Sequence, residues 1–186
     1  MTIQENHLAN GLTVVTDRME TVETVSMGVW VDVGTRDEDP DVNGVSHLLE
    51  HMAFKGTERR DAYTIAAEIE AVGGHLNAYT SRENTAYYAK VLKDDLPLAV
   101  DLIGDILQHS IMDDEELSRE QAVILQEINQ ARDTPDDIVF DHFQETAFPD
   151  QAMGRPVLGQ PEVVKGMSAK SIRAYMDRHY SAEKMV

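Results

Sequence analysis

The sequence predicts an α+β fold in which a mostly antiparallel sheet packs against helices. Two observations carry this expectation. Alternating segments rich in Tyr, Thr and Val are gathered in the first half of the chain, and from Asp94 onward apolar residues recur at helical spacing almost throughout. Strands early and helices late suggest layers of sheet and helix around one core. At 186 residues the chain fits a single domain, residues 1–186, large enough to bury that core.

Each element has its own local signal. Ile3 to Leu8 and Leu12 to Thr16 flank Asn10-Gly11, a two-residue turn signal, and read as a hairpin. Val25 to Val33 alternates at period two, the pattern of a half-buried strand. Gly34 to Gly44 is polar and acidic and reads as a loop, after which Val45 to Phe54 turns apolar and helical. Thr64 to Val72 is a second helix, closed by Gly73-Gly74, since glycine accepts the left-handed backbone that ends helices. Leu76 to Thr80 and Thr85 to Leu92 form a second strand pair. Helices are then expected over Leu96 to His109, Asp113 to Arg132 and Pro135 to Ala147. Pro135 suits a first helical position, where its missing N–H has no helical partner to lose. Short helices follow over Pro161 to Lys165 and Ala169 to His179, and a further apolar segment starts as the sequence stops, so the ending reads as cut.

Composition narrows the function. Hydrophobic residues make up 42%, as in globular proteins and well above the disordered range. No apolar run is long enough to span a bilayer, so membrane insertion is not expected. Met1 to Asn6 lacks the basic start and apolar stretch of a signal peptide. A bacterial cytoplasm is the plainer expectation for location, with periplasm or organelle matrix left open. Cysteine is absent, which leaves His and carboxylates as the strong metal ligands. The net charge of −18, from 34 acidic against 16 basic residues, argues against nucleic acid as a partner; it would draw in basic peptides, and charge alone equally fits an acidic surface kept for solubility.

Residues 47 to 51 read His-Leu-Leu-Glu-His. On a helix, His47 and His51 stand four apart on one face, close enough to grip one ion, with Glu50 beside them. A catalytic zinc takes three protein ligands and keeps a position for water, and a neighbouring carboxylate can take that water's proton. Two His and one Glu in five residues can also arise on any exposed helix face. The neighbours Leu48, Leu49, Met52, Ala53 and Phe54 weigh against that, because clustered ionisable groups on an apolar helix are costly unless paired or metal-bound. The order H-x-x-E-H is the inverted zincin signature.

The stretch from Gly44 to Thr57, Gly-Val-Ser-His-Leu-Leu-Glu-His-Met-Ala-Phe-Lys-Gly-Thr, resembles the pitrilysin and mitochondrial-processing-peptidase family. So do Gly73 to Glu83, Phe140-Asp141-His142 and Gly154 to Gly159, so the resemblance spans nearly the whole chain. It implies the metallopeptidase-like half of a clam-shell enzyme, a zinc endopeptidase with Zn2+ as cofactor. In that family a distal Glu follows the motif after about 75 residues, with another Glu seven earlier; here 75 residues separate His51 from Glu127, and Glu120 stands seven before it. The resemblance thus makes Glu127 the third ligand beside His47 and His51, Glu50 the catalytic base, and Glu120 a carboxylate that orients a ligating His. Seven residues are two helical turns, so Glu120 and Glu127 share a face.

The resemblance also implies how a peptide is held. Asn77, Ala78 and Tyr79 look like the edge strand that pairs with an extended substrate, and Phe54 like the aromatic wall of the pocket after the scissile bond. Asp137 and Asp141 match acidic positions that bind an Arg before the cleavage site. His7, His75, His109, His142 and His179 have no partner at ligand spacing and read as structural or surface residues. Members of this family enclose peptide between two related halves, so a dimer or two-half assembly is expected of the complete protein. The alternative is a non-catalytic structural or substrate-presenting subunit of the same family; such subunits typically lose motif residues, and all four key residues are present here.

Overall fold

The computed structural model describes residues 3–186; residues 1 and 2 of the start read above lie outside it. β1 (Ile3–His7) and β2 (Thr13–Asp17) form the expected antiparallel hairpin, paired from Ile3 with Asp17 to His7 with Thr13. The connection is wider than a two-residue turn. Asn10 Oδ1 accepts the Leu12 N–H and the Leu8 N–H bonds to the Leu12 carbonyl, so residues 8–12 close the loop.

β3 (Thr24–Val31) is followed by the polar segment, which is wound into two single-turn 3-10 helices, Thr35–Asp37 and Pro40–Val42. Then come α1 (Val45–Ala53), α2 (Ala62–Ala71), β4 (His75–Thr80) and β5 (Thr85–Leu92). The remaining helices are α3 (Leu96–Gln108), α4 (Asp114–Asp133), α5 (Pro135–Ala147), α6 (Pro161–Gly166) and α7 (Ala169–His179). Caps define several starts: Asp61 accepts the Thr64 N–H before α2, and Asp113 accepts the Glu115 and Glu116 N–H groups before α4.

The second sheet is antiparallel with order β3-β5-β4, so β5 is central and β4 lies at an edge. Alternation splits its faces. Tyr87, Ala89 and Val91 point into a core shared with Ile65 and Ile69 of α2 and Leu102, Ile103 and Ile106 of α3. Trp30 and Tyr79 on the opposite face stay about two-fifths exposed, with the Trp30 indole N–H donating to the Tyr79 hydroxyl at 3.3 Å. A second cluster joins Val45, Leu48, Leu49 and Met52 of α1 to Ile124 and Ile128 of α4, Val164 of α6 and Ile172 and Tyr175 of α7. α1 therefore lies between the two apolar clusters. At the end of the chain, Val186 exchanges backbone hydrogen bonds with Trp30 along β3.

Candidate metal centre

The placement of the motif follows from which face of α1 is buried. Val45, Ser46, Leu48, Leu49, Met52 and Ala53 are buried, and the three remaining positions of the helix are His47, Glu50 and His51. The apolar stripe that packs α1 thus puts both imidazoles and the carboxylate on the one face left open. Entry into α1 is fixed by Gly44, whose φ of +97° is left-handed. A Cβ there would also come within 2.9 Å of the Gly159 Cα and 3.0 Å of the Leu158 carbonyl oxygen, so any side chain would push away the loop that precedes α6.

α4 crosses this face and brings Glu127 and Glu120. Glu127 Oε2 lies 3.7 Å from His47 Nε2 and 3.6 Å from His51 Nε2. Those separations are too long for hydrogen bonds. They lie at and just above the edge of a tetrahedron, roughly 3.3–3.6 Å for ligand atoms ~2.0–2.2 Å from a common centre. Among the described residues, this is the one group of three or more His or carboxylate side chains whose ligand atoms lie within 4.8 Å of one another. Two imidazoles and one carboxylate are a donor set that suits zinc.

Protonation is set by neighbours. His51 Nδ1 is 2.9 Å from Glu120 Oε2, so with that nitrogen carrying the proton, the Nε2 lone pair is free toward Glu127. Burial, and then the nearby His51, push the His47 imidazole down to about 4, which keeps it neutral. Its Nδ1 has no protein partner among the described residues. Burial pushes the Glu50 carboxyl up, against the pull of the Thr80 hydroxyl and of His51, and Glu50 Oε2 is buried without a protein partner among the described residues. Glu120 is itself buried; burial would raise its carboxyl, but Lys55 and His51 outweigh it and hold it below the usual carboxylate range. The Lys55 ammonium sits 2.6 Å from Glu120 Oε1, a partner that sequence reasoning missed. Nothing in the spacing of Lys55 and Glu120 marks them as neighbours.

The other predicted site residues are spread around this group. Phe54 ends α1 and stacks obliquely on Tyr87, ring centroids 6.5 Å apart. Asn77, Ala78 and Tyr79 lie on edge strand β4, with Ala78 buried inward and Asn77 and Tyr79 exposed outward. Asp137 is exposed on α5. Asp141 is already engaged by a cation of the chain, the Arg82 guanidinium at 2.8 Å. Among the other histidines, His7 faces Glu5 and Thr13, His109 faces Asp105 and His142 faces Glu145.

Comparison with known proteins then settles the family. Residues 13–161 match the insulinase family, peptidase family M16. The chain belongs to that family. An uncharacterized zinc protease of Streptomyces coelicolor is 44% identical over 185 residues, covering the whole of this chain and 40% of the relative. The mitochondrial-processing peptidase subunit beta of Saccharomyces cerevisiae is 43% identical over 179 residues, covering 96% of this chain and 39% of the relative. The chain therefore spans about two-fifths of the length of these M16 relatives. A protease from Helicobacter pylori superposes with a TM-score of 0.94 over 99% of this chain and 45% of its own, at 24% identity, a likeness of fold. The expected α+β architecture is thus the M16 fold. No helix among the described residues is long and apolar enough to cross a membrane.

Proposed function

We propose that the chain is the zinc-binding catalytic part of an M16 endopeptidase that hydrolyses extended, basic peptides. The observation that carries this reading is the convergence of ligand atoms of His47, His51 and Glu127 within 4.8 Å of one another, with the unpartnered Oε2 of Glu50 on the same helix face. Zinc, when bound there, supplies a Lewis acid that acidifies water and polarises the scissile carbonyl. His47, His51 and Glu127 hold it, and Glu120 fixes His51 in the tautomer that presents Nε2. Glu50 Oε2, buried and unpartnered, takes the proton of the attacking water and returns it to the departing amine.

Substrate would lie along the free edge of β4, main chain against Asn77 to Tyr79, with Phe54 walling the pocket beyond the bond. Asp137 and Asp141 would receive a basic side chain; for Asp141 the substrate cation would have to share or displace Arg82. The complete protein would close a second half over this edge, as a dimer or as two halves of one chain, in the cytoplasm.

Metal analysis after exhaustive dialysis tests the centre directly. About one zinc per chain is expected, lost on His51→Ala or Glu127→Gln and retained on Glu50→Gln. Stoichiometric zinc retained by a His47, His51 and Glu127 triple substitution would place the metal elsewhere.

A further inference from the structure

Lys55 lies just beyond α1, outside the set of residues the proposed mechanism uses, and its backbone is tightly held. Its N–H bonds to the Met52 carbonyl at 3.1 Å, closing the last turn of the helix. The next residue, Gly56, takes φ +133° and bonds through its carbonyl to the Ile111 N–H at 3.1 Å. Thr57 is locked to buried Asp105 by a 2.8 Å hydrogen bond, and Arg60 reaches the same carboxylate at 2.8 Å. The backbone after the motif is thus pinned from both sides, which places Lys55 within reach of Glu120 on α4.

What it meets there is one oxygen of a carboxylate whose other oxygen already serves His51. Lys55 Nζ contacts Glu120 Oε1 at 2.6 Å, and His51 Nδ1 contacts Glu120 Oε2 at 2.9 Å. The Glu120 side chain is only 8% exposed, against 29% for Lys55, so the carboxylate has no ready exchange with solvent. A buried carboxylate held by one donor can rotate about its last bond. Held by donors on both oxygens it has one orientation. Lys55 is the lysine that compensates its charge.

We infer that Lys55 is a positioning residue for the metal centre: acting through Glu120, it fixes the orientation and tautomer of His51. The inference rests on the metal-centre reading above. The relay runs Lys55 ammonium to Glu120 carboxylate to His51 Nδ1–H, leaving His51 Nε2 directed at Glu127. A bare charge effect would have the opposite sign. A cation near a dication repels it, so removing Lys55 would then tighten metal binding. Removing a residue that orients a ligand weakens it.

The test is zinc affinity of the whole 186-residue chain, measured by competition with a chromophoric chelator, with thermal melts confirming that each variant is folded. Lys55→Met should weaken zinc binding by about 10-fold, at the lower end of what partners of metal-bound His contribute, and Lys55→Arg should restore most of it. Lys55→Gln serves as a second neutral variant should the methionine form fold poorly. In a Glu120→Gln background, Lys55→Met should add less than about twofold, because its effect passes through Glu120. Unchanged or tighter binding in the neutral variants overturns the inference while the metal-centre reading stands. An undiminished loss in the Glu120→Gln background overturns it too. If the unmodified chain binds no zinc at micromolar metal, the metal-centre reading falls and the inference with it.

Discussion

Glu38 holds the start of the motif helix through Ser46. One oxygen of its buried carboxylate accepts both the Ser46 N–H, at 2.8 Å, and the Ser46 hydroxyl, at 2.7 Å. The other accepts the Gly44 N–H at 2.7 Å and the Asn43 side-chain amide at 2.9 Å. α1 has no cap of its own, since Gly44 offers no side chain and its first turn holds no acidic residue. Glu38 therefore supplies from six residues upstream of Gly44 what an N-cap residue normally supplies, including the negative charge that complements the helix N-terminus. Ser46 passes the connection on to α7 through the Tyr175 hydroxyl at 2.9 Å.

Removing that acceptor strands several buried donors at once. Glu38→Ala should lower the unfolding free energy by about 3–5 kcal/mol, the range for breaking a buried, hydrogen-bonded charge. Urea unfolding measures this. A loss below about 1 kcal/mol would mean that water replaces the carboxylate without penalty and that α1 does not depend on Glu38.

A second prediction separates metal holding from proton transfer. Glu50→Gln keeps size and shape but cannot take a proton. Zinc content should remain near that of the unmodified protein, while peptide turnover by the complete enzyme should fall by at least about 10²-fold. Loss of zinc together with activity would make Glu50 a ligand instead of the base.

Asp105 gives the prediction about pH. Its side chain is fully buried between Arg59, Arg60 and Thr57. Burial alone would raise the carboxyl, but the hydrogen bonds from Arg60, Thr57 and Arg59 outweigh it and hold the group below the usual carboxylate range. A folded-state value below the unfolded one (~3.9) means that the unfolded chain takes up the proton first as pH falls. The associated stability is complete above the unfolded value and is lost as pH drops through the folded one. Asp105→Asn should therefore cost about 2–4 kcal/mol at pH 7 and also make the remaining stability fall less steeply below about pH 4. Parallel urea midpoints at pH 7 and pH 3 in both proteins check it; identical slopes would assign the acid limb to other groups.

How much of this was legible in sequence depends on how local each signal is. The bounds of α5 and α7 match the sequence reading, and α1 differs by one residue, because periodicity and caps act over a single turn. The grouping of His47, Glu50 and His51 was readable for the same reason: four residues on a helix are neighbours in space. Glu127 was reached only through resemblance, since no local rule picks one carboxylate out of 34 acidic residues. Pairs such as Lys55 with Glu120, Glu38 with Ser46, and Arg82 with Asp141 were invisible. They depend on how helices and loops cross, and a charged residue carries no periodic trace of its distant partner. The hairpin loop departs from its two-residue signal because the Asn10 side chain satisfies Leu12 in place of the ladder.

The last prediction concerns what these 186 residues can do without the rest of such a protein. The chain covers 40% of its Streptomyces coelicolor relative, so most of that relative's length has no counterpart here. Hydrolysis needs the substrate carbonyl held against the metal and its developing negative charge stabilised by donors aimed at it. On this chain, β4 offers one edge for a peptide, and that edge is open on its far side among the described residues. His47 and His51 are largely buried, but Glu127 has a side chain 39% exposed, so water reaches this group and weakens each electrostatic contact there. The isolated chain should accordingly bind zinc and cleave a basic presequence-like peptide poorly, at least about 10²-fold below the complete enzyme. Supplying the remaining part, in one chain or as a separate one that docks, should restore turnover. Zinc-dependent cleavage by the 186-residue chain at the complete enzyme's rate would show that one half suffices, and would remove the second half from the proposed site.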